Sequence, residues 1–343
     1  MTSQVDVMSK FQAEQDTRKA RRIDRHTVSA IAVFVLCIVL ILASRLVSPS
    51  LGSWQQVLTV LTLASFLVVL SFGQGLVILT GGLDLSLPAV ITLGGVLTTT
   101  WIGNGPGAWY MLPFVLAICG GVGLASAIGI VWLKVPPFIM TMATSIIVSS
   151  AALGLTNGTP RGASPDVLLL LMKGSWLGIP APVYFLVIFA VVGWIVQSRT
   201  VFGRYLYALG TNRDAARIAG VPITLVSVLP YVISAVCAGF VGMMLVGYAN
   251  GATLRMGDNY MLPSIAAVVI GGSSILGGNG NFAGTVGGAI LLTTVGTVIA
   301  AIGLEQGLRT IIEGGIILVA LLLLREELFE RLRGLSGKPR SGG

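Results

Sequence analysis

The sequence is poor in charged residues. They make up only 10% of its 343 residues, whereas hydrophobic residues make up 55% and the mean hydropathy is +0.92. This balance excludes an ordinary soluble domain and predicts a helical protein that crosses a membrane several times. The 45 glycines are typical of membrane helices that pack closely through small residues.

Cysteine and histidine are also scarce. Cys37, Cys119 and Cys237 lie in apolar runs without a CxxC pair or a Cys/His cluster, so neither a disulfide framework nor a metal site is predicted. We expect buried thiols that act as small apolar side chains. His26, the one histidine, lies in a basic segment, where we expect an interfacial residue and not a catalytic group.

A phosphate-binding loop of the GxxxxGK[ST] type is missing as well. The one Gly-Lys pair is Gly337-Lys338, which Pro339 follows. We therefore expect no nucleotide, metal or other cofactor bound by this chain. The Ser/Lys, Asp/Asp and His-rich sets of intramembrane enzymes are missing too, so the sequence does not indicate an enzyme.

The apolar residues predict an all-α polytopic membrane protein with about ten transmembrane helices in residues 28–324. A basic N-terminal arm, residues 1–27, precedes this region, and a C-terminal tail, residues 325–343, follows it. The predicted spans are Val28–Val47, Val57–Thr80, Leu83–Trp101, Met111–Leu133, Phe138–Leu155, Val183–Val196, Ile223–Val246, Met261–Ile275, Phe282–Ile302 and Leu308–Leu324.

Basic residues predict the orientation of these spans. With the N-terminus inside, 16 of the 21 lysines and arginines fall on the cytoplasmic side. Both termini are then cytoplasmic. The net charge of +8 reflects this orientation and does not indicate nucleic-acid binding.

Two glycine-rich segments interrupt the apolar pattern. One begins at SFGQG in the second span and continues through GGLDLS, and the other is GGSSILGGNG after the eighth. Non-helical backbone at membrane depth must be buried by protein or face a watery cavity. Because the two segments resemble one another and the second and seventh spans run in opposite directions, we predict an inverted repeat of spans two to five and seven to ten, with a translocation path between the halves. The candidate residues that line or support this path are Gly73, Gln74, Asp84, Ser86, Gly271, Gly272, Ser273 and Asn279.

Two acidic residues fall near membrane depth, and each permits two interpretations. Asp84 is either a functional group or, with Ser86, a cap at the start of the third span. Glu313 is either functional or neutralised by Arg309, four residues earlier on the same helix face.

The longest polar, basic interruption between spans is Ser198–Pro222. Its second half, NRDAARIAG, predicts a short helix outside the bilayer that begins after an Asn212 cap and stops at Gly220. Small side chains on this helix favour close packing into a partner's groove, and the alternative is a plain connector. The predicted docking residues are Asn212, Arg213, Asp214, Ala215, Ala216, Arg217 and Gly220.

Several of these segments resemble one known family. The segments GGLDLS, KVPPFIMTMATS, FGRYLYALGTNRDAARIAGV and YMLPSIAAVVIGGSSILGGNGNFAGTVGGAILL are similar to those of ribose/xylose/arabinose-type permeases of ATP-binding-cassette (ABC) sugar importers. The resemblance implies a second permease copy or close paralogue, a cytoplasmic ATPase that uses ATP, and a periplasmic or lipoprotein sugar-binding protein. It places the chain in a bacterial cytoplasmic (inner) membrane. It also implies that Asp214, Ala215, Ala216 and Gly220 match the family's E-A-A-x-x-x-G docking signature, with Asp in place of Glu.

Two other classes of function remain as alternatives at this stage. An ion- or proton-coupled secondary transporter is disfavoured because intramembrane acids and histidines are few. An intramembrane enzyme is disfavoured because the catalytic sets are missing. Pentoses, hexoses, sugar alcohols and furanoses are all compatible with the sequence.

Overall fold

The computed structural model describes residues 31–46, 51–102 and 108–304, with a few isolated positions as far as Leu318. In these residues the chain is almost entirely helical. The helices are α1 (Ile31–Ser44), α2 (Trp54–Leu79), α3 (Leu87–Leu97), α4 (Leu112–Val131), α5 (Pro137–Thr156), α6 (Asp166–Lys173), α7 (Ala181–Arg199), α8 (Val201–Thr211), α9 (Arg213–Ile218), α10 (Ile223–Ala249), α11 (Met261–Ile270) and α12 (Phe282–Ala301).

Within the described residues, six helices are long and apolar enough to cross a membrane. They are α2, α5, α7, α10, α12 and the segment Trp109–Val131 that contains α4. The apolar helix α1 is shorter, and so are α3 and α11 even with the irregular turns that adjoin them. These nine helices coincide with the first nine predicted spans, whereas the tenth predicted span and Glu313 lie outside the continuously described residues.

The glycine-rich segments differ in part from the prediction. The predicted interruption at SFGQG is wrong, because α2 continues without a break from Trp54 to Leu79. The break falls later, at Thr80–Ser86, where Gly81 has a φ of +81°. The third span is also shorter than predicted, since α3 ends at Leu97 in a π-helical turn, Thr98–Ile102. Likewise, α11 ends at Ile270, and residues 271–281 are not helical.

The segment between α5 and α7, predicted only as a polar stretch, contains two elements. The short helix α6 buries Leu168 and Met172. A two-stranded hairpin follows, β1 (Ser175–Trp176) paired antiparallel with β2 (Ile179–Pro180). Leu177 and Gly178 form its turn with φ angles of +51° and +76°, as a two-residue hairpin of this kind requires.

Helix α10 lies at the centre of the bundle and packs against α2, α3 and α4. Glycines permit the closest of these approaches. A Cβ on Gly94 of α3 would lie 2.6 Å from the Gly239 carbonyl oxygen of α10, and one on Gly239 would lie 2.8 Å from Cβ of Cys119 in α4. Such contacts need the absence of a side chain, which is how small residues join membrane helices.

The cysteines fit this picture of close packing. Cys37, Cys119 and Cys237 are free and buried, as predicted from their apolar surroundings. Cys37 of α1 donates to the Gly287 carbonyl oxygen of α12 at 3.6 Å, so the two helices are in contact there.

Two glycines on α4 provide a matched test of this packing. A Cβ on Gly123 would contact the Tyr231 backbone of α10 and lie 2.7 Å from Cβ of Ala235, whereas a Cβ on Gly121 would meet nothing within 4 Å. Gly123→Ala should therefore destabilise the detergent-solubilised protein by about 1–3 kcal/mol. Gly121→Ala should leave its melting temperature unchanged or slightly raised, because alanine favours helix. Equal melting temperatures of the two variants would contradict the α4–α10 contact.

Candidate functional site

The first cluster of predicted site residues lies where α2 and its following break contact α10. A Cβ on Gly73 would lie 2.7 Å from Cα of Ser234 in α10, so the two backbones touch there. Ser234 lies 11 residues into α10, about 17 Å along a helix with a rise of about 1.5 Å per residue. The contact is therefore near the middle of α10 and six residues before the end of α2.

Asp84 is joined to the same point of α10. Its Oδ2 accepts a hydrogen bond from Ser234 Oγ at 2.8 Å, and its Oδ1 accepts from Ser86 Oγ at 2.6 Å and Ser86 N at 3.0 Å. Asp84 and Ser86 are both buried. The predicted cap is not found, because Ser86, the N-cap residue of α3, makes no side-chain hydrogen bond to the free N–H groups of that helix. Asp84 instead links the break to α10 through Ser234. Three hydrogen bonds offset part of the cost of burying the carboxylate.

Gln74, next to Gly73, is fully buried on α2. Neither its Oε1 nor its Nε2 has a hydrogen-bond partner among the described residues, and the same holds for Ser71 Oγ one turn earlier. Leaving such a group unpaired costs about 1–3 kcal/mol. The sequence analysis selected Gln74 but not Ser71 or Ser234. The signal for Ser71 was its position three residues before Gln74, and the signal for Ser234 was the run of small residues ISAVCAG that contains it.

The second predicted set lies in the loop between α11 and α12, residues 271–281. Gly271 packs against the backbone of Gly284 and Thr285 in α12, and Gly272 has a φ of +90°. Ser273 is buried, while Asn279 is exposed and its carbonyl oxygen accepts from Ser274 N at 2.9 Å. The two glycine-rich segments meet at the break after α2, where a Cβ on Gly277 would lie 2.8 Å from Gly81 N.

This glycine loop also connects the end of α2 with α8. Gly278 N donates to the Leu79 carbonyl oxygen at 2.9 Å, and the Tyr207 hydroxyl of α8 donates to the Gly280 carbonyl oxygen at 2.8 Å. Gly210 of α8 lies against both Leu79 and Gly278. Burial raises the pKa of Tyr207 above its ordinary value, so its hydroxyl remains a proton donor at neutral pH.

The predicted cap and stop of α9 are confirmed. Asn212 Oδ1 accepts from Asp214 N at 3.0 Å and from Ala215 N at 2.9 Å. At the other end Gly220 has a φ of +80°, and the bonds from Gly220 N to Arg217 O and from Val221 N to Ala216 O, both 3.0 Å, close the helix in a Schellman motif. Helix α9 is therefore well defined although it has only six residues.

The side chains of α9 divide into two groups. Ala216 is 3% exposed and belongs to the chain's own core, so it offers a partner almost none of the surface that the sequence analysis assumed. The residues that do face outward are Asn212, Arg213, Asp214, Ala215, Arg217, Ile218, Ala219 and Gly220. Ile218, which the sequence analysis missed, is 89% exposed. A groove of about 390 Å³ between α8 and α9 is lined by Tyr207, Ala208, Thr211, Asn212, Ala215, Ala216 and Ala219.

Together these features define a multi-span membrane protein with a buried polar contact between long helices and a short, capped helix exposed outside the apolar bundle. That combination is typical of a transport subunit. The chain belongs to the family described as branched-chain amino acid transport system / permease component, whose model matches residues 56–321.

Curated relatives support this assignment. The chain is 32% identical over 305 residues to a probable ABC transporter permease protein, y4mJ, of Sinorhizobium fredii, which covers 87% of this chain and 89% of the relative. It is 31% identical over 298 residues to the ribose import permease protein RbsC of Bacillus subtilis, an alignment that covers 86% of this chain and 92% of the relative. It is 27% identical over 298 residues to the D-allose transport system permease protein AlsC of Escherichia coli, an alignment that covers 85% of this chain and 90% of the relative. No solved structure matches the chain.

The two glycines beside Gln74 test the α2–α10 contact. Gly73→Ala would force the α2 and α10 backbones apart at Ser234, whereas a Cβ on Gly75 would lie 3.6 Å from a Val268 methyl, an ordinary contact. We expect Gly73→Ala to lower solute uptake by about tenfold or more while the protein still inserts, because overpacking shifts the helices that hold Asp84. Gly75→Ala serves as the control and should retain most of the uptake. Normal uptake by Gly73→Ala would show that this contact is incidental.

Proposed function

We propose that this chain is the membrane-spanning permease subunit of an ABC importer that takes up a monosaccharide or related polyol. An extracytoplasmic binding protein delivers the sugar, and a separate cytoplasmic ATPase supplies the energy. The observation that carries the proposal is α9, a capped helix that exposes Ile218 and two arginines outside the bundle. The relatives named as ribose and allose permeases support the sugar class.

Helix α9 has the features of a docking element. Exposed Ile218 offers an apolar anchor, and the flanking Arg213 and Arg217 offer positive charge to an acidic rim on the ATPase. Helix α9 packs against α8, and Gly210 of α8 lies against Leu79 at the end of α2. Movement of α9 would therefore reach the end of α2 through α8 and the glycine loop.

We also propose the ten-span topology with its inverted repeat. Helices α2, α3 and α4 have 26, 11 and 20 residues, and α10, α11 and α12 have 27, 10 and 20. The short helix of each half packs against the long helix of the other, α3 on α10 and α11 on α2. These reciprocal contacts between short and long helices support two related halves, with the transport path at their interface.

The tryptophans support the same topology. In the ten-span arrangement Trp54, Trp101, Trp109 and Trp176 fall at the outer ends of spans, and Trp132 and Trp194 fall at inner ends. All six tryptophans are exposed in the isolated chain, as expected of residues at the two membrane interfaces. Both termini and Ser198–Pro222 are then cytoplasmic, in a bacterial inner membrane. We further propose that the permease works as a homodimer or with a close paralogue.

Reconstitution tests the energy source. Proteoliposomes that hold the permease with its ATPase and binding protein should accumulate labelled ribose, allose or another monosaccharide only when ATP is inside with the ATPase. Collapse of ion and proton gradients should not reduce this uptake. Uptake that needs a gradient and no ATPase would favour the secondary transporter instead.

Thiol labelling tests the topology. Single cysteines at Leu177, which is 98% exposed at the hairpin turn, and at Ile218 should react with an impermeant maleimide from opposite faces of the membrane. The native cysteines are buried and would be replaced beforehand. Ser164 is unsuitable for this purpose because it is 1% exposed. Reaction of both positions from the same side would refute the topology.

Substitution of Ile218 tests the docking role of α9. Ile218→Asp should lower sugar-stimulated ATP hydrolysis and uptake together, by about tenfold or more, because a charge would replace the apolar anchor at the contact. The protein's own melting temperature should not change, since Ile218 is exposed. Leu177→Ala is the control, because Leu177 is also exposed but lies on the proposed opposite face of the membrane. This variant should leave ATPase binding unchanged. Normal coupling in Ile218→Asp would make α9 a connector.

A further inference from the structure

The corner between α7 and α8 carries two arginines that have no acidic partner. Arg199 is the last residue of α7, Arg204 lies in the first turn of α8, and both side chains are exposed. Neither forms an ion pair within the part of the chain that the structure describes. The one acid in Ser198–Pro222 is Asp214, which lies on α9. The positive charge of this corner is therefore available to an anionic ligand.

Hydrogen bonds of Thr200 fix the backbone of this corner. Its Oγ1 donates to the Val196 carbonyl oxygen of α7 at 2.5 Å and accepts from Gly203 N at 3.1 Å, so one side chain caps the start of α8 and binds the end of α7. A Cβ on Gly203 would collide with the Gln197 carbonyl oxygen, so α8 begins directly against α7. The two arginines are therefore attached to a well-defined piece of backbone.

The outer face of α7 leads to Arg199. Ile188, Val192, Ile195 and Arg199 are spaced by four, three and four residues, which places them on one side of the helix. The three apolar side chains are exposed in the isolated chain, as expected where a membrane span faces lipid. We call these three residues the lipid-facing stripe of α7. Arg199 lies at the point where this stripe ends.

A tryptophan marks the depth of this point in the membrane. The guanidinium carbon of Arg199 lies 5.2 Å from the ring centroid of Trp194, one turn earlier on α7. This is a cation–π distance, and tryptophans collect at the membrane–water interface. Arg199 therefore reaches back along α7 to the level of the lipid headgroups. Arg204 joins it there, since its Nη1 donates to the Arg199 carbonyl oxygen at 3.4 Å.

The chemistry of the corner selects a phosphate that carries acyl chains. A guanidinium group binds phosphate oxygens through paired N–H donors. A free phosphate would match the charge of the two arginines but would leave the lipid-facing stripe without a partner. A zwitterionic lipid brings its own ammonium group, which cancels its phosphate. The combination therefore favours an anionic phospholipid, to which basic residues beside a membrane span are attracted.

We propose that the corner between α7 and α8 binds the headgroup of an anionic phospholipid. Arg199 and Arg204 hold the phosphate, and an acyl chain lies along the lipid-facing stripe of α7. In the proposed topology this lipid belongs to the cytoplasmic leaflet. Because α8 leads directly into α9, the bound lipid stabilises the position of the helix proposed to dock the ATPase. The site itself depends only on α7 as a membrane span and not on the transported solute.

Lipid titration of the detergent-solubilised full-length protein tests the site. Dioleoylphosphatidylglycerol should raise the melting temperature more than dioleoylphosphatidylcholine does, because a ligand of the folded state stabilises it. Arg199→Gln combined with Arg204→Gln should weaken the apparent affinity for phosphatidylglycerol by about 25-fold, or about fivefold for each lost charge. Without added lipid this variant should melt as the wild type does, since both side chains are exposed.

A second pair of arginines provides a control with the same change in charge. Arg213→Gln combined with Arg217→Gln removes two exposed charges from α9, away from the lipid-facing stripe, and should change the affinity for phosphatidylglycerol by less than about twofold. Equal losses in the two double variants would show a general attraction of charge and overturn the proposal. So would equal stabilisation of the wild type by the two lipids.

Two further outcomes would assign the corner to another ligand and also overturn the proposal. Glycerol 3-phosphate at the same concentration should not change the melting temperature, and a shift equal to that of phosphatidylglycerol would indicate a site for soluble phosphates. Arg199→Gln combined with Arg204→Gln should still bind the ATPase, and lost ATPase binding with unchanged lipid affinity would place the corner in that interface. The lipid titrations involve no transport, so a protein that failed to take up sugar would refute the proposed function and leave this inference standing.

Discussion

The backbone contact between α2 and α10 is the constraint on which the rest of the structure depends. Both helices are long enough to cross the bilayer, and Gly73 allows them to touch at Ser234. Because Ser234 also binds Asp84, this contact fixes the break after α2 and therefore the start of α3. A membrane offers little hydrophobic force between helices, so close packing and buried hydrogen bonds must determine how they associate.

The same argument explains the position of the second glycine loop. Residues 277–280 approach the end of α2 through backbone contacts that side chains would obstruct, with φ angles of +87° and +70° at Gly277 and Gly278. The loop bonds to Leu79 on one side and to Tyr207 on the other. A rigid connection therefore runs from the exposed helix α9 through α8 to α2, and such packed elements can transmit a movement because they do not deform continuously.

Most of the helices and the ends of α9 were predictable from sequence, because hydropathy, a capping asparagine and a stop glycine act locally. The continuity of α2 was not predictable in this way. SFGQG contains two glycines that favour a break, but Gly73 is needed for the contact with Ser234, which is distant in sequence. Ala216 was misjudged for the same reason. Its small size suits a partner's groove and the chain's own core equally well, and only the packing of the folded chain decides between them.

Stability and transport place opposite demands on the α2–α10–α11 region. A permease that satisfied every buried polar group would gain stability in one conformation and would have less reason to leave it. Unpaired groups at Ser71 and Gln74 raise the free energy of this conformation by about a few kcal/mol, about the size of the differences that separate conformations of one protein. Asp84 accepts a hydrogen bond from Ser234 of α10, and this bond between the break after α2 and α10 stabilises the same conformation. The balance between these neighbouring groups would keep this conformation accessible but not permanent, as a transport cycle requires.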